Sequence, residues 1–175
     1  MAWTAKASDG HTHKYILNGV KDFDKLSDDT ESFFVWLWSV KDYLKSYSES
    51  NPDSVEWIEK QATADPHLSV CADIANWAKH ARKYGRHSRS GRFPKLGKLR
   101  YTVPMEAIGK ITVRAFEVET NIAKPELVTF ELPILDAEDR LIGDAFDFLD
   151  KGVARWERML EAIELGNPTQ ANPKI

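Results

Sequence analysis

Asp73, Asn76 and His80 recur at i, i+3 and i+7 within "CADIANWAKHARKYGRHSR", residues 71–89, so on a helix they form one stripe. His80 titrates near neutral pH and can take or give a proton, while Asp73 and Asn76 can orient its imidazole or a substrate hydroxyl. Trp77 and Tyr84 share that polar face, and aromatics beside His, Asn and Asp indicate a covered surface. Three readings of the stripe stand side by side: a solvated polar face, a structural hydrogen-bond network, and a functional site with His80, Asn76 and Asp73 as catalytic residues.

The same stretch runs into a basic segment. Nine Lys and Arg lie between Ile74 and Met105 with no Asp or Glu, leaving 15 basic against 27 acidic residues elsewhere in a chain of net charge −3. Such asymmetry suits an anionic partner, with Lys79, Arg82, Lys83, Arg86, His87 and Arg89 as phosphate contacts and Trp77 and Tyr84 as stacking platforms for unpaired bases. A basic loop balanced by an acidic body is the plainer reading. Other chemistries lack their residues. Cys71, the one cysteine, falls on the small, core-facing side of the helix with Leu68, Ile74, Ala75 and Ala78 and has no nucleophile elbow. His67, His80 and His87 share no ligand spacing, so no metal is expected, and no Gly-rich phosphate loop follows a strand, so no nucleotide cofactor is expected.

The elements that must position these residues are partly legible. Residues 1–13 read as an unstructured tail, and 14–26 read as a helix interrupted by Gly19. Phe33, Trp36, Leu37, Val40 and Leu44 repeat at helical spacing after a weak Asp28–Glu31 capping box, and Phe34 and Trp38 add a second apolar face, making this the expected central helix. Asn51–Pro52 and Asp65–Pro66 each pair an N-cap with a proline at the first helical position. The second of these helices is expected to run to about Tyr84 and stop at Gly85. Three antiparallel strands are expected in "KLRYTVPM", "KITVRAFEVET" and "ELVTFELPILD", then a turn at "DAED". Phe146, Leu149, Val153, Trp156, Leu160 and Ile163 mark a last helix over 144–164, and residues 167–175 read as a tail. The predicted fold is one α+β domain over 14–166: an N-terminal bundle of about four helices (14–90), a small antiparallel sheet (97–143), and a C-terminal helix packed back on the bundle. A lone cysteine and no apolar run of membrane-spanning length point to a cytoplasmic protein.

Over roughly residues 14–90 the pattern resembles the HEPN superfamily of helical-bundle proteins: an aromatic helix ("SFFVWLWSVKDYL"), a short helix with a Trp ("DSVEWIEK"), and "LSVCADIANWAKHAR" in the place of the signature helix. The resemblance implies metal-independent RNA cleavage through the substrate 2′-OH, with His80 handling a proton, in a homodimer that joins two copies of the site. The family's Arg, four to six residues before the His, is absent; Asp73, Ile74 and Ala75 stand there. The literal match Arg82–His87 contains Gly85. The expectation is therefore an RNA-associated protein with ribonuclease activity left open. The alternative is a non-catalytic protein-interaction or dimerisation module with Trp77 and Tyr84 as its anchors.

Overall fold

The structure is a computed structural model and describes residues 1–8, 10–49, 51–80 and 87–165. It is α+β, and the chain divides into two compact units: Met1–Asp28 with Leu99–Glu131, and Asp29–Lys98 with the described part of Leu132–Ile175. The order of elements differs from the expected bundle followed by a sheet, because strands come first. The expected tail forms β1 (Ala2–Lys6), and the expected first helix is β2 (Thr12–Asn18) followed by a turn. Gly19 makes that turn at φ +87°, where an added Cβ would lie 2.7 Å from the Ile122 carbonyl oxygen.

In the first unit, β5 (Ile108–Arg114) and β6 (Glu117–Ile122) form an antiparallel hairpin from what reads in sequence as one strand. β6 also pairs with β2 in parallel, giving a four-stranded sheet of order β1-β2-β6-β5. Its register aligns Trp3, Tyr15, Val118 and Val113 on one face. The other face carries Lys14, Glu117 and Arg114, with Glu117 bonded to Lys14 at 3.1 Å and to Arg114 at 3.0 Å. Bonding to Lys14 leads the causes that hold the Glu117 carboxyl below its ordinary value. β4 (Arg100–Thr102) pairs with β7 (Thr129–Glu131) in a separate ribbon.

The second unit holds the helices. α1 (Phe23–Tyr47) enters it at Asp29. α2 (Pro52–Ala64) starts as predicted: Asn51 accepts from the Ser54 N–H. α3 (Pro66–Lys79) is capped by Asp65, whose Oδ1 accepts from His67 and Leu68 N–H. It ends at Lys79, with His80 as C-cap, short of the expected Tyr84. α4 (Ala145–Glu164) starts at Asp144, whose Oδ1 accepts from Phe146 N–H while its Oδ2 accepts from Leu132 N–H. β3 (Lys95–Leu96), β8 (Pro133–Leu135) and β9 (Leu141–Asp144) form a small antiparallel sheet. The Asp136–Asp139 turn between β8 and β9 is the one expected from "DAED".

α3, not α1, is the helix buried on every side: Leu68 through Ala75 are all inaccessible. Its small residues Ser69, Cys71, Ala72 and Ala75 let neighbours approach closely, and the Cys71 thiol points at the Phe148 carbonyl oxygen, 3.8 Å away. Burial, reinforced by the charge of Asp65, pushes that thiol up to about 12, so it stays protonated and unreactive at neutral pH. α1 contributes Phe34, Leu37, Trp38 and Leu44 to this core, and α4 contributes Leu149, Trp156 and Met159. The close packing is visible at Gly152, where an added Cβ would sit 2.6 Å from Leu37 Cδ2. Arg155 of α4 is also buried, its Nε 3.2 Å from Asp65 Oδ2 and its terminal nitrogen bonded to Gln61 at 2.8 Å.

Candidate functional site

Asp73 is 5% exposed, and its carboxylate is fully engaged. Oδ1 accepts the Arg89 N–H at 2.8 Å; Oδ2 accepts the Ser88 hydroxyl at 2.6 Å, the Ser90 N–H at 2.9 Å and the Ser90 hydroxyl at 2.7 Å. A carboxylate accepting this many donors is a clamp. It ties the loop at Ser88–Ser90 to the middle of α3. Among the described residues, no hydrogen bond joins Asp73 to Asn76 or His80.

The expected stripe is therefore divided. Asp73 is buried, Asn76 and His80 are exposed, and Trp77 is half-buried. The bonds of Asp73 run to the loop and not to His80, which supports a structural role for it beside the expected one as a catalytic orienter. Of the expected phosphate contacts, Lys79 and His87 are exposed. Arg89 is exposed as well, but its guanidinium is engaged on the unit's own surface: it lies 4.9 Å from the Trp38 ring, donates to Thr63 at 3.0 Å and sits 3.5 Å from Glu59. Arg82, Lys83, Tyr84 and Arg86 lie outside the described residues. No group of three His, Cys, Asp or Glu among the described residues is placed to hold a metal ion.

Exposed apolar side chains also occur on the first unit's sheet, among them Trp3, Ile111, Val113 and Phe116, but a row of exposed aromatics runs along the outer side of α1. Phe33, Trp36, Tyr43 and Tyr47 are 46%, 64%, 67% and 66% exposed, with half-buried Val40 among them. Their spacing is 3, 4, 3, 4, the a/d pattern that presents one seam along a helix. Sequence reasoning placed Phe33 and Trp36 in the core with Leu37 and Leu44; the structure buries the latter pair and turns the former outward. The missed signal was the strict seven-residue repeat, echoed by serines at 32, 39 and 46.

Hollows flank both ends of this seam. One of about 260 Å³ is lined by Asp29, Thr30, Phe33, Phe146, Leu149 and Asp150. Another of about 690 Å³ lies between the end of α1 and the start of α2, with Glu49, Glu56 and Glu59 in its lining. Burial would raise the Glu59 carboxyl, but hydrogen bonds and charge from Lys45 and Lys41 outweigh it and leave the group below its ordinary value. Those two lysines lie 3.1 and 3.3 Å from Glu59.

Comparison with known protein families, curated proteins and solved structures returns no match. No described helix is long and apolar enough to cross a membrane.

Proposed function

We propose that this chain works by binding rather than by catalysis, as a protein-docking module whose contact surface is the outer face of α1. The observation that carries this reading is the row Phe33, Trp36, Tyr43 and Tyr47, large side chains left exposed on one side of a helix whose other side supplies the core. Scattered exposed apolar residues need no explanation; a contiguous aromatic row marks a contact surface. Tyr and Trp are also the residues that anchor interfaces most strongly. The test is a photo-crosslinking amino acid at position 36 or 43 of the full chain in living cells. Discrete adducts with another polypeptide are expected there and not from Glu161, an exposed position on α4. No adduct, or the same adducts from position 161, would refute the reading.

A second reading, RNA or other polyanion association of HEPN-like type, is supported by the basic segment. Asp73 clamps the Ser88–Ser90 loop, and Lys79, His80, His87 and Arg92 are exposed on either side of it. RNA affinity that falls steeply with salt and drops on Lys79→Ala with Arg92→Ala is its signature; no binding at low salt removes it. Cleavage in EDTA that is lost in His80→Ala would restore the catalytic version.

A further inference from the structure

We infer that the α1 face receives an amphipathic helix whose apolar seam is flanked by Lys and Arg. This rests on the docking reading and adds the partner's shape and charge. The shape follows from spacing. Phe33, Trp36, Val40, Tyr43 and Tyr47 follow an unbroken 3-4-3-4 repeat, spanning about 21 Å at 1.5 Å per residue. An extended peptide, with its period of two, would match only part of such a seam, whereas a helix with the same repeat meets every position. Ser32, Ser39 and Ser46 run beside the seam at seven-residue intervals, and short side chains there let a partner backbone come close.

The charge follows from the surroundings. Asp29 and Asp150 line the hollow at Phe33, and Glu49, Glu56 and Glu59 line the hollow beyond the end of α1. Glu59 is matched by Lys41 and Lys45, Lys151 by Asp147 at 2.7 Å, and Arg155 by Asp65, which leaves Glu49 and Glu56 at one end of the seam and Asp150 at the other. The field along this face is negative, which repels RNA and favours a basic helix. It also disfavours a second copy. An antiparallel α1–α1 pair centred on Val40 would bring the Asp29 end of one helix to the Glu49 end of the other.

The test uses the full chain and three synthetic helical peptides of about 21 residues with the same Leu/Ile heptads, their flanks all Lys/Arg, all Gln or all Glu. Fluorescence anisotropy is read at about 50 and 300 mM salt. The basic peptide is expected to bind at least about tenfold tighter than the Glu peptide, with the gap shrinking at the higher salt. Trp36→Ala with Tyr43→Ala should weaken it by about 30-fold, the loss expected of interface anchors. Equal binding of the basic and Glu peptides, or full binding by the double variant, overturns the inference. So do photo-crosslinks from position 36 that join two copies of this chain. If crosslinks to another protein form but no peptide discriminates, the partner's chemistry falls and the docking reading stands; if neither appears, both fall.

Discussion

Replacing Asp73 by Asn separates a clamp from a catalytic group. Asn keeps the size of Asp and one acceptor, so its Oδ1 can still receive the Arg89 N–H. Its amide nitrogen replaces Oδ2, which now receives the Ser90 N–H and two hydroxyls. The hydroxyls can rotate and accept from the new amide. The Ser90 N–H cannot, and it is left facing a donor. A hydrogen bond to a charged acceptor contributes roughly 1.5–3 kcal/mol, and an orphaned buried donor costs roughly 1–3 kcal/mol. With the hydroxyls partly compensated, Asp73→Asn should destabilise the chain by about 2–4 kcal/mol, which a domain of ordinary stability survives. The control is Asn76→Ala, an exposed position expected to change stability by about 0.5 kcal/mol or less. Urea unfolding gives the energies, and amide exchange at Arg89 and Ser90 localises the effect. Both amides should exchange much faster in the variant while those of α2 keep their rank order. An Asp73→Asn penalty no larger than that of Asn76→Ala, or unchanged protection at Ser90, would refute the clamp and return Asp73 to the candidate catalytic set.

Arg155→Ala should cost about 3–5 kcal/mol in chemical denaturation, because it leaves the Asp65 carboxylate without its buried counter-charge; Arg155→Met should cost less. Gly19→Ala should lower stability by roughly 1–3 kcal/mol, since the backbone there is left-handed and Ile122 blocks the Cβ; a neutral result would place the β2–α1 turn in another conformation. Glu59, held below its ordinary value by Lys45 and Lys41, stabilises the fold above that value and loses this contribution as pH falls through its folded pKa. Unfolding from about pH 5 to pH 3 should therefore weaken the native chain more than Glu59→Gln. Trp36→Ala with Tyr43→Ala should leave the urea midpoint nearly unchanged, because roughly two-thirds of each side chain is already in water and Ala is the better helix former. A loss above about 3 kcal/mol would mean that this face is packed inside the fold, and the docking reading would fail.

α2 and α3 begin where the sequence places them because an N-cap and its proline act over three or four residues, a range a local pattern can express, and α4 is legible from its apolar period alone. The N-terminal strands were illegible for the opposite reason. β2 is paired with β6, about a hundred residues later, and neither segment alternates cleanly enough to reveal the partner. The β5–β6 hairpin hid because its turn, Ala115–Phe116, has no Gly or Asn to announce it. Asp73 looked catalytic because its partners return fifteen and seventeen residues further on, in Ser88 and Ser90, where a polar loop offers no period to read. α1 carries apolar side chains on both sides, so periodicity established a helix without saying which side faces the core.

The division of α1 also explains why its aromatic row is hard to attribute to folding. Phe34, Leu37, Trp38 and Leu44 already fill the interior, and Trp38 is fixed further by the Trp156 ring at 6.3 Å and by Arg89 and Lys41 over its face. Leu or Ala at 33, 36, 43 and 47 would favour the helix more than Phe, Trp and Tyr do. Polar residues there would favour solubility more. An arrangement that serves neither helix formation nor the core, yet follows a seven-residue repeat over two heptads, is what the proposed docking to a surface outside the chain would explain. Asp73 presents the reverse case: a residue with the look of chemistry whose every bond is spent inside the fold. Exposure without structural use, rather than the reactivity of a residue type, is what directs attention to α1.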